Sequence, residues 1–337
     1  MTELDLAELA TRATTAAQSW APGCQVVDLR SMSGGTIGLV YSAQVLGGPP
    51  EVPTAVLKVA PPGLPPVRNR DMLRQARVIG ALEGRPGVSV PPLLFTDAGR
   101  PPEVPPLFAT AMVAGECEEP LLEASSRIRL PEARSRARAF AAVRTLAALH
   151  QLDPTAIGLG DEPIVTPVGE VDRWTRTFDT VPDEVRDGYQ ACAEALRSTS
   201  PPQRPSVVVH GDYRLGNLLC DGDKVAAIID WEIWTRSDPR IDLSWLLFFT
   251  DEARHPVVPA DLDSGMPSDT ELLAVYEAET GAPVADLGWF HALTRYKEAA
   301  AMALITKHLA RKGDTATLEK MSVMLPALIA DAHDRVR

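Results

Sequence analysis

The stretch VVVHGDYRLGNLLCDGDKVAAIIDWE, residues 207–232, sets His210, Asp212, Arg214, Asn217, Asp230 and Glu232 among short apolar runs that read as buried strands. Runs on either side of Asp221-Gly222-Asp223 predict a hairpin from Leu218 to Ile229. Folding back brings its two ends together, so Asn217 and Asp230 face one point. An amide oxygen and a carboxylate are hard ligands that suit Mg²⁺. Asp212, on the preceding loop, points into the same space. That set fits phosphoryl transfer, which needs a divalent cation to neutralise phosphate charge and a carboxylate to take the proton of the attacking hydroxyl.

The spacing from Asp212 to Asn217 matches the D-x-x-x-x-N of the protein kinase catalytic loop, and Asp230 takes the place of the metal-binding aspartate that follows. Two details differ. The loop reads His-Gly-Asp rather than His-Arg-Asp, and Asp230 is followed by Trp-Glu rather than Phe-Gly. Three blocks in order, His210 to Asn217, Ile229-Asp230, and Asp238-Pro239 with Asp242-Leu243, resemble the aminoglycoside phosphotransferase and choline kinase-like family. The Asp-Trp-Glu places the likeness nearest the acyl-CoA-dehydrogenase-associated branch. LAALHQLDP (146–154) and VDRW (171–174) extend it, so that it touches most of residues 30–250 and says little of 251–337.

The resemblance implies a two-lobed protein kinase-like fold and ATP as phosphate donor. It makes Asp212 the catalytic base, Asn217 and Asp230 the Mg²⁺ ligands, and Arg214 a fixed cation for the γ-phosphate. His210 locks the loop by hydrogen bonds, and Asp242 braces it from the following helix. Glu232 either touches a second metal or faces solvent. Lys58, inside TAVLKVA, reads alone as a lysine on the polar face of a strand; beside the catalytic block it resembles the phosphate-binding lysine of the kinase sheet. Ser33, Gly34 and Gly35 form either a plain hairpin turn or a backbone cover over phosphates. Met112 and Val113, in FATAMVAGE, line an adenine slot at the hinge, or Met112 is plain core. The family carries a glutamate on the first N-lobe helix that pairs with the lysine; here Gln75 stands there, leaving Lys58 loosely held or paired with another acid such as Glu83.

These residues need elements to hold them. Residues 3–19 predict an amphipathic helix, and residues 25–113 five short strands with one helix, opened by Asp71 and stopped by Gly84. After Gly115 the pattern turns helical: a long helix from Pro131 towards Asp153, then helices near 183–198, 241–250, 269–280, 284–312 and 314–335. The 207–232 stretch supplies the only strands of this half, and residues 252–269 a surface loop. The fold class is α+β: a small nucleotide-binding N-lobe, 1–113, with an antiparallel sheet and a helix, and a larger, mainly helical C-lobe, 114–337, for catalysis and acceptor binding.

The chain has 337 residues and a formal net charge of -12, which argues against nucleic-acid binding. It shows no leader and no apolar run of membrane-spanning length, so the expectation is a cytoplasmic monomer or homodimer. Four cysteines without a CxxC pair read as buried thiols. The acceptor is a small-molecule hydroxyl, on an aminoglycoside-like antibiotic, a hydroxyacyl-CoA or a related metabolite. Arginines at 68–77 and 127–144 either receive a phosphate-bearing substrate or form a solvated helix face. Trp289, His291, Tyr296 and Lys297 wall the acceptor pocket by the same resemblance. The alternative is a regulatory nucleotide-binding pseudokinase. A protein kinase is disfavoured, because no Ala-Pro-Glu block follows Asp230.

Overall fold

Asp5 opens the first helix, α1 (Leu6–Ala17), by accepting the N–H groups of Ala7 and Glu8 at 2.8 and 3.2 Å. The computed structural model describes residues 4–32, 38–119, 132–250 and 265–337. Ser33, Gly34 and Gly35, and residues 252–264 of the loop expected at 252–269, lie outside them. No described helix is long and apolar enough to cross a membrane. The chain divides into two compact units, one of Met1–Cys117, Ile157–Leu159 and Asn217–Trp234, the other of Glu118–Ala156, Gly160–Gly216 and Thr235–Arg337.

The first unit holds an antiparallel sheet of β1 (Gln25–Ser31), β2 (Leu39–Leu46), β3 (Thr54–Val59), β4 (Leu93–Asp97) and β5 (Leu107–Ala111), in the order β1-β2-β3-β5-β4. β3 alternates as a half-buried strand must: Ala55, Leu57 and Val59 are buried, and Val56 and Lys58 face the other way. α1 sends Leu9, Ala13 and Ala17 into the same core as β3. α2 (Met72–Leu82) is capped by Asp71, which accepts the Arg74 N–H at 3.0 Å, and Gly84 follows it in the left-handed region at φ 71°. The predicted hairpin, β7 (Leu218–Asp221) with β8 (Lys224–Ile228), belongs to this unit. Its backbone is bonded there: Ile228 N–H donates to Ser89, and Glu116 and Cys220 exchange a pair of bonds at 2.9 Å.

The second unit contains α3 (Glu132–His150), α4 (Pro167–Phe178), α5 (Tyr189–Ser198), α6 (Arg240–Thr250), α7 (Asp269–Thr280), α8 (Leu287–Arg311) and α9 (Thr315–Asp334). It also has a two-stranded ribbon of β6 (Val207–Val209) and β9 (Thr235–Ser237). Two of these elements escape the sequence reading. α4 is set by the Thr166 cap and Pro167 at its first turn, with Val171, Trp174 and Phe178 on its buried face. β9, Thr-Arg-Ser, has no apolar run of its own and exists by pairing with β6. Hence 207–232 is not the only strand region beyond Gly115. Cys24, Cys192 and Cys220 are buried as expected, but Cys117 is exposed.

Candidate functional site

In the first unit, Lys58 on β3 gathers two acids from just beyond the hairpin. Its Nζ lies 2.8 Å from Asp230 Oδ1 and 2.8 Å from Glu232 Oε1. Asp230 takes the left-handed conformation, φ 66° and ψ 56°, a strain that aspartate tolerates better than most residues. Glu232 follows within a 3-10 turn (Trp231–Ile233) that turns its carboxylate inwards. Burial opposes the charge of Lys58, but Asp230 and Glu232 outweigh it and hold the ammonium's pKa above its ordinary value. The Glu232 carboxyl is pushed up to about 7, first by burial, with Lys58 opposing and Asp230 adding to the rise.

Asn217 lies at the other end of the hairpin. Its carbonyl accepts the Ile229 N–H at 3.0 Å, tying the start of β7 to the residue before Asp230. The Asn217 side chain is buried, whereas that of Asp230 is 35% exposed.

The acid partner of Lys58 is thus Glu232, which sequence reasoning left between a second metal and solvent. Gln75 is buried and donates its Nε2 to the Asn69 carbonyl at 2.9 Å. Glu83 is corrected as the alternative partner: it sits just past α2 and accepts the Leu93 N–H at 3.3 Å. The signal for Glu232 was present in the chain, an acid two residues past Asp230 together with a missing acid on α2. Met112 is 40% exposed and donates its N–H to Thr54 at 3.0 Å, so the plain-core reading of it fails; Val113 is half-buried.

The arginines of α2 have local partners. Arg74 stacks on Trp234 at 4.1 Å and donates to its carbonyl, and Arg77 donates to the Gly158 carbonyl at 2.8 Å.

In the second unit, Asp242 on α6 is fully buried and holds the loop before Asp212. It accepts the N–H groups of His210 at 2.6 Å and Gly211 at 2.8 Å, and His150 Nε2 lies 3.6 Å away. Burial alone would raise its pKa; His150, His210 and the Gly211 N–H overcome that and lower it. His210, also fully buried, accepts the Asp212 N–H on Nδ1 at 3.2 Å, the locking role read from its position.

Asp212 Oδ1 receives two donors, Trp245 Nε1 at 2.8 Å and Arg214 Nε at 3.1 Å. Arg214 NH1 also binds Glu119 at 2.5 Å, and the same Glu119 oxygen accepts the Gly216 N–H. Burial works against the Arg214 charge, yet Asp212 and Glu119 raise its pKa further. A Cβ at Gly216 would overlap the Glu119 carboxylate, so a larger residue there would push Glu119 and Arg214 out of this arrangement. Glu119 could not be found from sequence: it lies 95 residues from Arg214 in an irregular segment.

The four α8 residues separate. Trp289 donates to the Leu196 carbonyl at 3.1 Å, and the hydroxyl of Tyr296, itself fully buried, meets Thr175 at 2.9 Å; both belong to the helical core. His291 lies 4.0 Å from Asp269. Lys297 reaches the Gly211 carbonyl.

The sequence profile of the phosphotransferase enzyme family matches residues 28–265. Acyl-CoA dehydrogenase family member 11 of Pongo abelii is 29% identical over 146 residues, which cover 40% of this chain and 19% of that protein. The chain therefore corresponds to only a part of such relatives. A candidate aminoglycoside phosphotransferase of known structure from Ralstonia eutropha JMP134 matches with a TM-score of 0.75 and 22% identity, covering 99% of this chain and 98% of that one. A thermostable mutant of aminoglycoside phosphotransferase APH(4)-Ia, in ternary complex with ADP and hygromycin B, matches with a TM-score of 0.59 and 15% identity over 91% and 94% of the two chains. At such identities the structural likeness establishes the fold, which is α+β and protein kinase-like as the motifs implied.

Proposed function

This chain belongs to the phosphotransferase enzyme family, and on that premise we propose that it moves the γ-phosphate of ATP to a hydroxyl of a small molecule. The observation that carries the reading is the bond from Lys58 to Asp230, two residues 172 apart in sequence that the motif assigns to phosphate and metal. Residues 1–113 serve the nucleotide, and residues 114–337 the acceptor and the chemistry.

Among the described residues no group of three or more His, Cys, Asp or Glu could cage a metal. Asp230 and Asn217 instead offer one carboxylate and one amide oxygen. That small donor set suits Mg²⁺, which takes one or two protein oxygens and completes its shell with water and phosphate. Bound Mg²⁺–ATP would supply the phosphoryl group and spread its charge. Lys58, kept protonated by its two acids, presents a fixed cation to phosphate oxygens. Ser33, Gly34 and Gly35 cover the phosphates, and the backbone at Met112 and Val113 holds the base. Asp212 accepts the acceptor hydroxyl's proton, its carboxylate fixed by Trp245 and Arg214. Arg214 stabilises transferred charge in so far as Glu119 and Asp212 leave it able to turn.

The acceptor classes are an aminoglycoside-like antibiotic, a hydroxyacyl-CoA or a related metabolite, met in the cytoplasm by a monomer or homodimer. The pseudokinase alternative drew on the missing acid at position 75; Glu232 now supplies an acid to Lys58.

The test is ADP formation from ATP and Mg²⁺ against a panel of hydroxylated metabolites and antibiotics. Asp212→Asn should lower turnover by about a hundredfold to ten-thousandfold while ATP still raises the melting temperature. Full turnover in that variant would remove Asp212 as the base. Silence of the unaltered chain on the whole panel, with ATP still bound, would favour the regulatory reading.

A further inference from the structure

Lys297 is an anomaly of the second unit. It lies in α8, 4% exposed, yet no carboxylate lies within ion-pair distance of its ammonium among the described residues. A buried ammonium without a counter-ion is costly, and burial does lower its pKa, against the pull of Asp212, Glu170 and Asp242. Three contacts hold it. Its Nζ donates to the carbonyl of Gly211, the residue before Asp212, and sits 3.6 Å from the centroid of the Trp245 ring and 5.7 Å from that of Trp174. Trp245 in turn donates Nε1 to Asp212 Oδ1 at 2.8 Å.

Accepting Asp212 as the base, we propose that Trp245 and Lys297 are its positioning residues: the indole N–H fixes the carboxylate, and the ammonium beneath the ring fixes the indole and the loop. The chemistry is cooperative. A cation on the ring face is attracted to its electron density, and drawing density from the indole polarises the N–H towards the carboxylate. The ammonium–carbonyl bond pins Gly211, whose N–H is already held by Asp242. The loop is therefore held at both backbone groups of Gly211, its N–H and its carbonyl, and the side chain that follows has a donor aimed at one oxygen.

The charged groups around Lys297 are Glu170 and Arg173 from α4, Asp242 from α6 and Asp212 from the loop. Glu170 is engaged by Trp174 Nε1 at 3.1 Å and by Arg173 at 3.5 Å. Plain packing does not account for the arrangement. Trp245 already has apolar neighbours in Phe248 and Phe249, and an aliphatic side chain at 297 would fill the space without a buried charge.

The test uses the intact chain and two readouts. The first needs no turnover: the indole N–H resonance of Trp245, one of six tryptophans, assigned by its loss in Trp245→Phe. Asp212→Asn and Lys297→Met should each move that resonance upfield and speed its exchange with solvent, and Lys297→Arg should restore it in large part. The second is phosphate transfer to whichever acceptor the panel yields. Trp245→Phe keeps the apolar body and should lower kcat by roughly tenfold to a hundredfold, with KM for ATP unchanged. If Lys297→Met does not fold, Trp245→Phe and Asp212→Asn decide alone. An indole resonance indifferent to Asp212→Asn, or a folded Trp245→Phe with unaltered kcat, overturns the proposal. Indole shifts as expected in a chain that transfers phosphate to nothing would leave the clamp standing and remove the kinase reading.

Discussion

Glu232 in the first unit and Asp242 in the second are both buried carboxylates, and the fold pushes them in opposite directions. Asp242 is wholly enclosed, yet two backbone N–H groups and the imidazole of His150 converge on it, and its pKa falls below the usual carboxylate range. Glu232 is slightly less enclosed and shares a single ammonium with Asp230, and its carboxyl rises to about 7. Burial pushes both acids up, so burial alone does not separate them; the donors that oppose it do. Where the donors suffice, the acid is scaffold and ties down the loop that it binds. Where one cation serves two carboxylates, the surplus negative charge stays at the site, and a ligand bringing further positive charge would be welcomed by it.

Asp242→Asn should have the largest effect on stability. The amide keeps the shape but turns an NH₂ towards at least one of the N–H groups that Asp242 now accepts, and leaves His150 without its acid. A loss of about 3–5 kcal/mol follows, read as a fall in melting temperature on the order of 10 °C. A stability within error of the unaltered chain would mean that the loop holds without its brace.

Gln75→Glu comes next. Restoring an acid to α2 would help only if it reached Lys58. Gln75 is instead 1% exposed and gives its N–H to Asn69, so a glutamate there faces a carbonyl with no donor. The expected cost is about 1–3 kcal/mol, measured by denaturant unfolding. A gain in stability together with tighter ATP binding would show that Lys58 can be served from α2 after all, and the contrast between the two acids would lose its basis.

Sequence alone carried much of this. The hairpin was readable because its pattern is local: apolar runs, an Asp-Gly-Asp turn and polar ends within some twelve residues. Asp242 was readable through its motif, and Gln75 through the departure from it. Glu232 lay in plain view, yet its role depends on a side chain from β3, and no spacing rule links positions 58 and 232. Glu119 and Lys297 reach residues 211–216 from an irregular segment and a distant helix; their contacts exist only after packing. α4 went unseen because Thr, Gly, Asp and Pro dilute its apolar stripe, although Thr166 and Pro167 mark its start.

The most gradual effect concerns the pH dependence of stability, and here the two acids give opposite signs. For Asp242 the folded pKa is depressed, so its contribution is complete above the ordinary value of 3.8 and is lost as pH falls below it. Between pH 5 and 8 it is silent. For Glu232 the folded value, about 7, stands above the ordinary 4.5, so in that window the folded chain binds more protons than the unfolded one. Its contribution to stability then falls as pH rises from 4.5 to 7. Glu232→Gln removes this term. Its melting temperature, compared with that of the unaltered chain, should improve steadily from pH 5 to pH 8, by the equivalent of roughly 2 kcal/mol at the upper end. The variant gives up the Lys58 ion pair, so it starts lower at pH 5 and the slope of the difference, not its sign at one pH, is the measurement. Parallel curves would mean that Lys58 satisfies Glu232 as fully as two backbone N–H groups, with His150 nearby, satisfy Asp242.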